Sequence, residues 1–146
     1  MTGRFGANGW YISATTLTWI AIGNPAPSTS GCATLTVPET KGTTYRCSAA
    51  NSLGSAHDTV TIKEDTVAPT VTIRRPANGA TYRLHEIVVA SYTCRDATSG
   101  VASCTGNVAD GADLPTSTTG PHTITVGGTD NAGNIATESV GYTVAK

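Results

Sequence analysis

The residue types in this chain that could do covalent or metal chemistry are four cysteines, three histidines and scattered carboxylates. The cysteines fall as two short-range sets, Cys32 with Cys47 and Cys94 with Cys104. There is no C-x-x-C pair and no histidine beside a cysteine, a pattern that favours disulfides over a zinc site. We therefore predict the disulfides Cys32–Cys47 and Cys94–Cys104, with free buried thiols as the alternative.

Catalytic patterns are absent from the sequence. The histidines, His57, His85 and His122, lie in three separate segments with no carboxylate pair at ligand spacing. Serines are numerous, but no G-x-S-x-G elbow holds one for nucleophilic attack. No phosphate-binding glycine motif occurs either. We expect a protein that is not an enzyme, with no catalytic and no cofactor-binding residues.

One set of oxygen-bearing side chains lies in turns near the middle and end of the chain. Asp65, Asp96, Asp130 and Asn134 are the kind of hard ligands that calcium prefers, and a calcium ion at a junction between modules would stiffen it. The alternative is that these side chains cap turns through backbone hydrogen bonds. Because the set holds few carboxylates, we expect turn capping and no bound metal or other cofactor, with calcium as the alternative.

Composition restricts the compartment and the partners. Disulfides indicate an oxidising environment, so we expect an extracellular or cell-surface location, the alternative being a cytosolic protein with reduced cysteines. The net charge is -1 and only 13% of residues are charged, which favours neither nucleic acid nor an anionic membrane. No apolar run is long enough for a membrane span. The start, Met1–Arg4, does not resemble a signal peptide, so we expect a fragment of a longer exported protein.

The elements that must position these residues are strands. The chain has 27 threonines, a residue that suits strands and disfavours helices, and no sustained helical period. Alternating apolar and polar residues predict the following strands, separated by Gly, Asn and Pro turns: 16–22, 33–37, 43–49, 58–62, 69–73, 86–94, 101–104, 122–126 and 139–144. Such short, regularly spaced strands are typical of a β-sandwich.

The chain divides at the proline-marked segment 64–69. We predict two modules, residues 1–65 and 66–146, each with its own disulfide. Modules this small have marginal hydrophobic cores, and each bridge would add about 3 kcal/mol in the loop-entropy model. The segments 47–54 and 128–134 share a form, a strand that enters an Asn-containing turn, which indicates two related repeats.

Several motifs, taken in order, resemble one family. They are Asp65-Thr66-x-Ala68-Pro69, Pro76-Ala77-Asn78-Gly79-Ala80-x-Tyr82, Tyr92-x-Cys94-x-Asp96, Ser99-Gly100-Val101-Ala102-Ser103-Cys104 and Asp130-Asn131-Ala132-Gly133-Asn134, with Gly9-Trp10-Tyr11, Gly31-Cys32 and Cys47-Ser48-Ala49-x-Asn51 in the first half. The chain thus resembles the immunoglobulin-like, hyalin-repeat-like modules of bacterial secreted and surface proteins. The resemblance implies an all-β tandem of two Ig-like sandwiches that serves as a stalk, spacer or adhesive unit.

One departure from that family concerns the first strand. Such modules place a strand before the Gly-Trp-Tyr segment, whereas only eight residues precede Gly9 here and none reads as a strand. One interpretation is a boundary slightly inside the domain. The other is that a neighbouring chain supplies the strand by β-addition and so builds a fibre.

These observations lead to three functional hypotheses. The first is a non-enzymatic extracellular spacer whose partners are neighbouring modules or copies of itself. The second is a self-assembling fibre or virion-surface subunit. The third is an adhesin for a glycan or a surface protein, with contacts from loops 24–30 and 110–119. The aromatic side chains that could stack on a sugar, Trp10, Tyr11, Trp19 and Tyr45, are expected to serve the core instead.

Overall fold

The computed structural model describes all residues, 1–146, and contains twelve strands and no helix. The chain is therefore all-β. It forms two compact units, Met1–Val67 and Ala68–Lys146, so the division follows Val67, where the sequence predicted it after Asp65. None of the chain forms a helix able to cross a bilayer.

The strands of the first unit are β1 (Trp10–Tyr11), β2 (Thr16–Leu17), β3 (Ser28–Ser30), β4 (Leu35–Thr36), β5 (Thr40–Asn51) and β6 (Gly54–Glu64). Its main sheet has the order β1-β6-β5-β3, and β2 and β4 form a second, two-stranded sheet. The long strands β5 and β6 are antiparallel, joined at a turn where the Asn51 carboxamide oxygen accepts from Leu53 N at 2.9 Å. At the other end β1 pairs parallel with β6.

The core of the first unit is small because its second sheet is so short. The buried cluster consists of Tyr11, Leu17, Val37 and Ile62, flanked by the partly buried Trp19, Leu35, Tyr45 and Val60. The tip of the β5–β6 hairpin extends past this cluster, and residues 52–59 at that tip are exposed. Little apolar area stabilises this unit.

The predicted strands 16–22 and 33–37 are longer than the strands that form, β2 and β4. The predicted strand 16–22 is reduced to β2, because its partner β4 offers only Leu35 and Thr36 for pairing. Beyond Leu17 the chain keeps the side-chain alternation of a strand: Trp19 is half-buried, while Ile20 and Ile22 are 82% and 90% exposed. The predicted loop 24–30 in turn contains β3, which pairs with β5.

The segment before Gly9, in which the sequence predicts no strand, forms two isolated antiparallel bridges, Thr2 with Thr16 and Phe5 with Tyr11. Thr2 N donates to Thr16 O and Thr16 N donates to Thr2 O, both at 3.1 Å. Isolated bridges do not make a strand, and because only Thr2 pairs with β2, that strand has almost no partner on this side.

The strands of the second unit are β7 (Thr70–Arg75), β8 (Ala80–Arg83), β9 (Ser91–Arg95), β10 (Val101–Gly106), β11 (Gly120–Asp130) and β12 (Ile135–Ala145). The main sheet has the order β10-β11-β12-β8, and β7 pairs with β9 in a second sheet. The long hairpin here is β11–β12: β12 pairs with the short parallel strand β8, and β11 pairs with the antiparallel strand β10. The first unit has the same pattern, since β6 of its hairpin pairs with parallel β1 and β5 pairs with antiparallel β3. The buried core that joins these sheets is larger: Val88, Ala90, Tyr92, Leu114, Ile124, Val126, Val140, Tyr142 and Val144.

The predicted strand 86–94, the longest in the sequence, is β9 alone. The chain first turns, with Glu86 N donating to Arg83 O at 3.0 Å. Residues 88–90 then bond to the loop after β10: Ala90 N donates to Ala112 O at 2.8 Å, and Leu114 N to Val88 O at 2.7 Å. Within this run Val88 and Ala90 are buried, whereas Ile87 and Val89 are exposed. A loop satisfies the backbone of the run where a strand was predicted.

Candidate functional site

The first disulfide joins neighbouring strands of one sheet. Cys32 lies two residues after the end of β3 and bonds to Cys47 in the middle of β5, with Cα atoms 4.6 Å apart. Gly31 makes this approach possible: its φ is +72°, and a Cβ there would collide with the Arg46 carbonyl oxygen. A side chain at position 31 would therefore be strained both sterically and by its backbone conformation.

The second disulfide joins two sheets. Cys94 lies on β9 and Cys104 on β10, with Cα atoms 5.7 Å apart. Because β9 pairs with β7 and β10 pairs with β11, the bridge links strands that are not hydrogen-bonded to each other. Both cysteines pack against the core, so the bridge holds the two layers of the second unit together.

The calcium candidates of the second unit cap their own turns. Asp130 is buried at the end of β11; its Oδ1 accepts from Gly133 N at 2.7 Å and Asn134 N at 2.8 Å, and its Oδ2 accepts from Asn134 Nδ2 at 2.8 Å. Asp96 Oδ1 accepts from Gly100 N at 2.7 Å. The two carboxylates have oxygens within 4.8 Å of each other. These bonds account for both acids as turn caps, and calcium binding stays the alternative that a titration must test.

The remaining calcium candidate belongs to the first unit. Asp65 N donates to Tyr11 O at 2.9 Å, and Asp65 Oδ1 accepts from Val67 N at 3.2 Å. Its side chain thus shapes the last residues of that unit.

The three histidines serve different elements. His57 is exposed on β6, and His85 is exposed in a turn with φ 64°. His122 on β11 stacks on Tyr142 with ring centroids 5.2 Å apart, and its Nε2 lies 2.9 Å from Thr118 O. Burial, and secondarily Tyr82, raises the pKa of Tyr142 above its ordinary value of 10.0.

Of the aromatic residues of the first unit, Trp10 and Tyr11 are buried, Tyr45 is half-buried and Phe5 is exposed. Trp10 and Tyr11 are each 7% exposed, and Lys63 Nζ lies 5.1 Å from the centre of the Trp10 ring. Trp19 is half-buried, and its Nε1 has no hydrogen-bond partner. Trp10 and Tyr11 therefore offer no exposed face on which a sugar could stack.

Two depressions lie on opposite faces of the β5–β6 hairpin. The first, about 250 Å³, is an apolar groove lined by Trp19, Ile20, Ile22, Ala49, Ala56 and Asp58, among others. The second, about 240 Å³, is polar and is lined chiefly by Ser28, Ser30, Arg46, Ser48, Ser55 and His57. We call this second depression the serine trough.

The sequence contained part of the signal for the serine trough. With Tyr45, Cys47 and Ala49 on the inward face of one strand, Arg46 and Ser48 must point outward. What sequence reasoning missed was the pairing with β3, which adds two serines from a segment predicted as a loop.

Comparison with known proteins gives little further information. No family model matches the chain, and no curated protein matches it. A solved structure that does match is a chimeric titin Z1Z2-Z1Z2 tandem functionalised with a GRGDS peptide from fibronectin. It is 17% identical, with 100% of this chain and 95% of that chain covered and a TM-score of 0.32. A similarity at that TM-score carries no argument about this chain.

Proposed function

We propose that this chain is a non-enzymatic structural tandem of two Ig-like modules, acting as a spacer in a bacterial surface or secreted protein. The observation that supports it is the repetition: both units have a four-stranded sheet with the same pattern of pairing, and each contains one disulfide. A crosslinked module resists unfolding because its unfolded state is constrained. A series of such modules therefore keeps a domain at one end of the protein separated from the attachment point at the other end.

Single-molecule pulling of the whole oxidised chain tests this proposal. We expect two separate force peaks, one for each unit. Reduction should lengthen the extension after each peak, since the cysteines are 15 and 10 residues apart and each released residue adds about 3.4 Å, or roughly 50 Å and 35 Å. A chain that extends without force peaks would contradict the proposal of two folded, crosslinked modules.

The proposed extracellular location has its own test. Alkylation and mass spectrometry of the protein isolated from its native source should find all four cysteines blocked. Free thiols in that material would contradict the proposal, because an oxidising compartment keeps such bridges closed.

One observation favours the fibre as a second candidate. The segment Thr18–Ile22 has the alternation of a strand but lies outside any sheet, and Ile20 and Ile22 are almost fully exposed. A strand from another copy could pair with this segment. Sedimentation velocity over a wide concentration range should then show polymers that Ile20→Thr with Ile22→Thr abolishes and Ile87→Thr, an exposed isoleucine of the second unit, does not. A monomer at every concentration would exclude the fibre.

A further inference from the structure

The serine trough lies on the outer face of the main sheet of the first unit. Residues that are paired across neighbouring strands lie side by side there and form rows of side chains. Ser30 pairs with Ser48, and Ser48 with His57. In the next row Ser28 pairs with Ala50, and Ala50 with Ser55. Three strands thus present small or hydroxyl-bearing side chains on one surface. Small side chains between longer ones leave the depression of about 240 Å³.

Arg46 gives the trough a positive charge that the chain does not neutralise. Arg46 pairs with Thr59, one row beyond Ser48 and His57 on the same face. Its Nε donates to the Ser48 hydroxyl at 3.3 Å, which orients the guanidinium along the trough, and its Nη groups have no partner in the chain. No carboxylate lines the trough. The adjacent acid, Asp58, pairs with Cys47 and so belongs to the opposite face of the hairpin.

The remaining polar groups of the trough are also available to a ligand. The ring nitrogens of His57 and the hydroxyls of Ser30 and Ser55 make no hydrogen bond within the chain. Ser28 donates its hydroxyl to Ala50 O at 3.1 Å, and its oxygen can still accept. The trough therefore combines one fixed cation with several donors and acceptors at short spacing.

We propose that the serine trough binds one negatively charged sugar unit of an acidic saccharide. The anionic group would take paired hydrogen bonds from the Arg46 guanidinium, the planar geometry that carboxylate and sulfate oxygens match. The ring hydroxyls would bond to the serines and to His57. A single arginine on a chain of net charge -1 fits an isolated anionic group better than a nucleic-acid backbone. This activity goes beyond a spacer and does not depend on it.

The experiment is an NMR titration of the whole oxidised chain labelled with ¹⁵N. The probes are a galacturonic acid oligosaccharide, which is carboxylated, a heparin-derived oligosaccharide, which is sulfated, and a neutral cello-oligosaccharide of similar length. Sodium acetate and sodium sulfate serve as the anions alone. We expect shifts at Arg46, Ser48, Ser55 and His57 with at least one acidic oligosaccharide, and the active arm identifies the anionic group.

Matched variants distinguish the site from general charge attraction. Arg46→Gln should weaken binding about tenfold or more, since a hydrogen-bonded charge is lost. His57→Gln should weaken it less. Arg74→Gln removes the same charge from an exposed position on β7 and should leave binding unchanged. Because Arg46 and His57 are exposed, both variants should keep the unfolding temperature of the parent.

Several results would overturn the inference. They are no shift with either acidic oligosaccharide, equal binding of the neutral one, shifts outside the trough, or an equal loss in Arg74→Gln. Saturation by acetate or sulfate alone with the same affinity would also overturn it, because the sugar hydroxyls would then contribute nothing.

Discussion

At the scale of single residues, the polar side chains of this protein mostly complete its own backbone. Asp130 accepts three hydrogen bonds around one turn, and Asp96 closes the loop after β9. A buried carboxylate whose oxygens accept hydrogen bonds from nearby amides has a structural role. Arg46 differs, because its guanidinium is exposed and makes a single side-chain hydrogen bond within the chain, to Ser48.

Replacing Asp130 tests this assignment. Asp130→Ala should destabilise the second unit by about 1–3 kcal/mol, because the amides of Gly133 and Asn134 lose their acceptor in a largely buried turn. Glu138→Ala, an exposed carboxylate on β12, is the control and should change stability by less than about 0.5 kcal/mol. Urea unfolding followed by hydrogen exchange of the second unit measures both variants. Equal stability of the two would show that the turn does not need its cap.

The same pair of variants tests the calcium hypothesis. If the carboxylates bind the ion, millimolar calcium should raise the unfolding temperature of the parent and of Glu138→Ala but not that of Asp130→Ala. A parent protein that releases no heat and keeps its unfolding temperature in calcium would leave only the capping role.

At the scale of elements, sequence reasoning succeeded for the long strands and failed for the short ones. Alternation within 43–49 and 139–144 located the hydrogen-bonded ribbons of both units, since one face of each strand is buried and the other is solvated. The same pattern predicted strands that were too long at 16–22 and 86–94. Residues in both segments alternate or are apolar, but no neighbouring strand pairs with their full length. The sequence analysis did not predict the two-residue strand β1 or the parallel strand β8. Each is a strand only because it pairs with a strand far away in the chain, and no local pattern indicates that pairing.

At the scale of the whole molecule, the two units differ in how much core supports them. The buried cluster of the second unit is more than twice as large as that of the first, which contains Tyr11, Leu17, Val37 and Ile62. The disulfide loops are of similar length, so in the loop-entropy model each contributes about 3 kcal/mol. Losing that amount should unfold the unit with the smaller core first.

Reduction should therefore unfold the first unit at a lower denaturant concentration than the second. Both tryptophans, Trp10 and Trp19, lie in the first unit, so tryptophan fluorescence reports on that unit alone. Hydrogen exchange by mass spectrometry follows the second unit in the same samples. With the disulfides intact the two transitions should lie closer together. Coincident transitions after reduction, or the reverse order, would contradict the prediction.

By itself the sequence determined the all-β class, the long alternating strands and the cysteines available for crosslinking. These follow from the threonine-rich composition, period-two patterns and spacing, all of which are local properties. Only the tertiary structure decided that one disulfide joins neighbouring strands and the other joins two sheets, and that Arg46, His57 and four serines line one trough. The physical reason is register: which residues share a surface depends on pairing between strands far apart in the chain, and no local pattern encodes it.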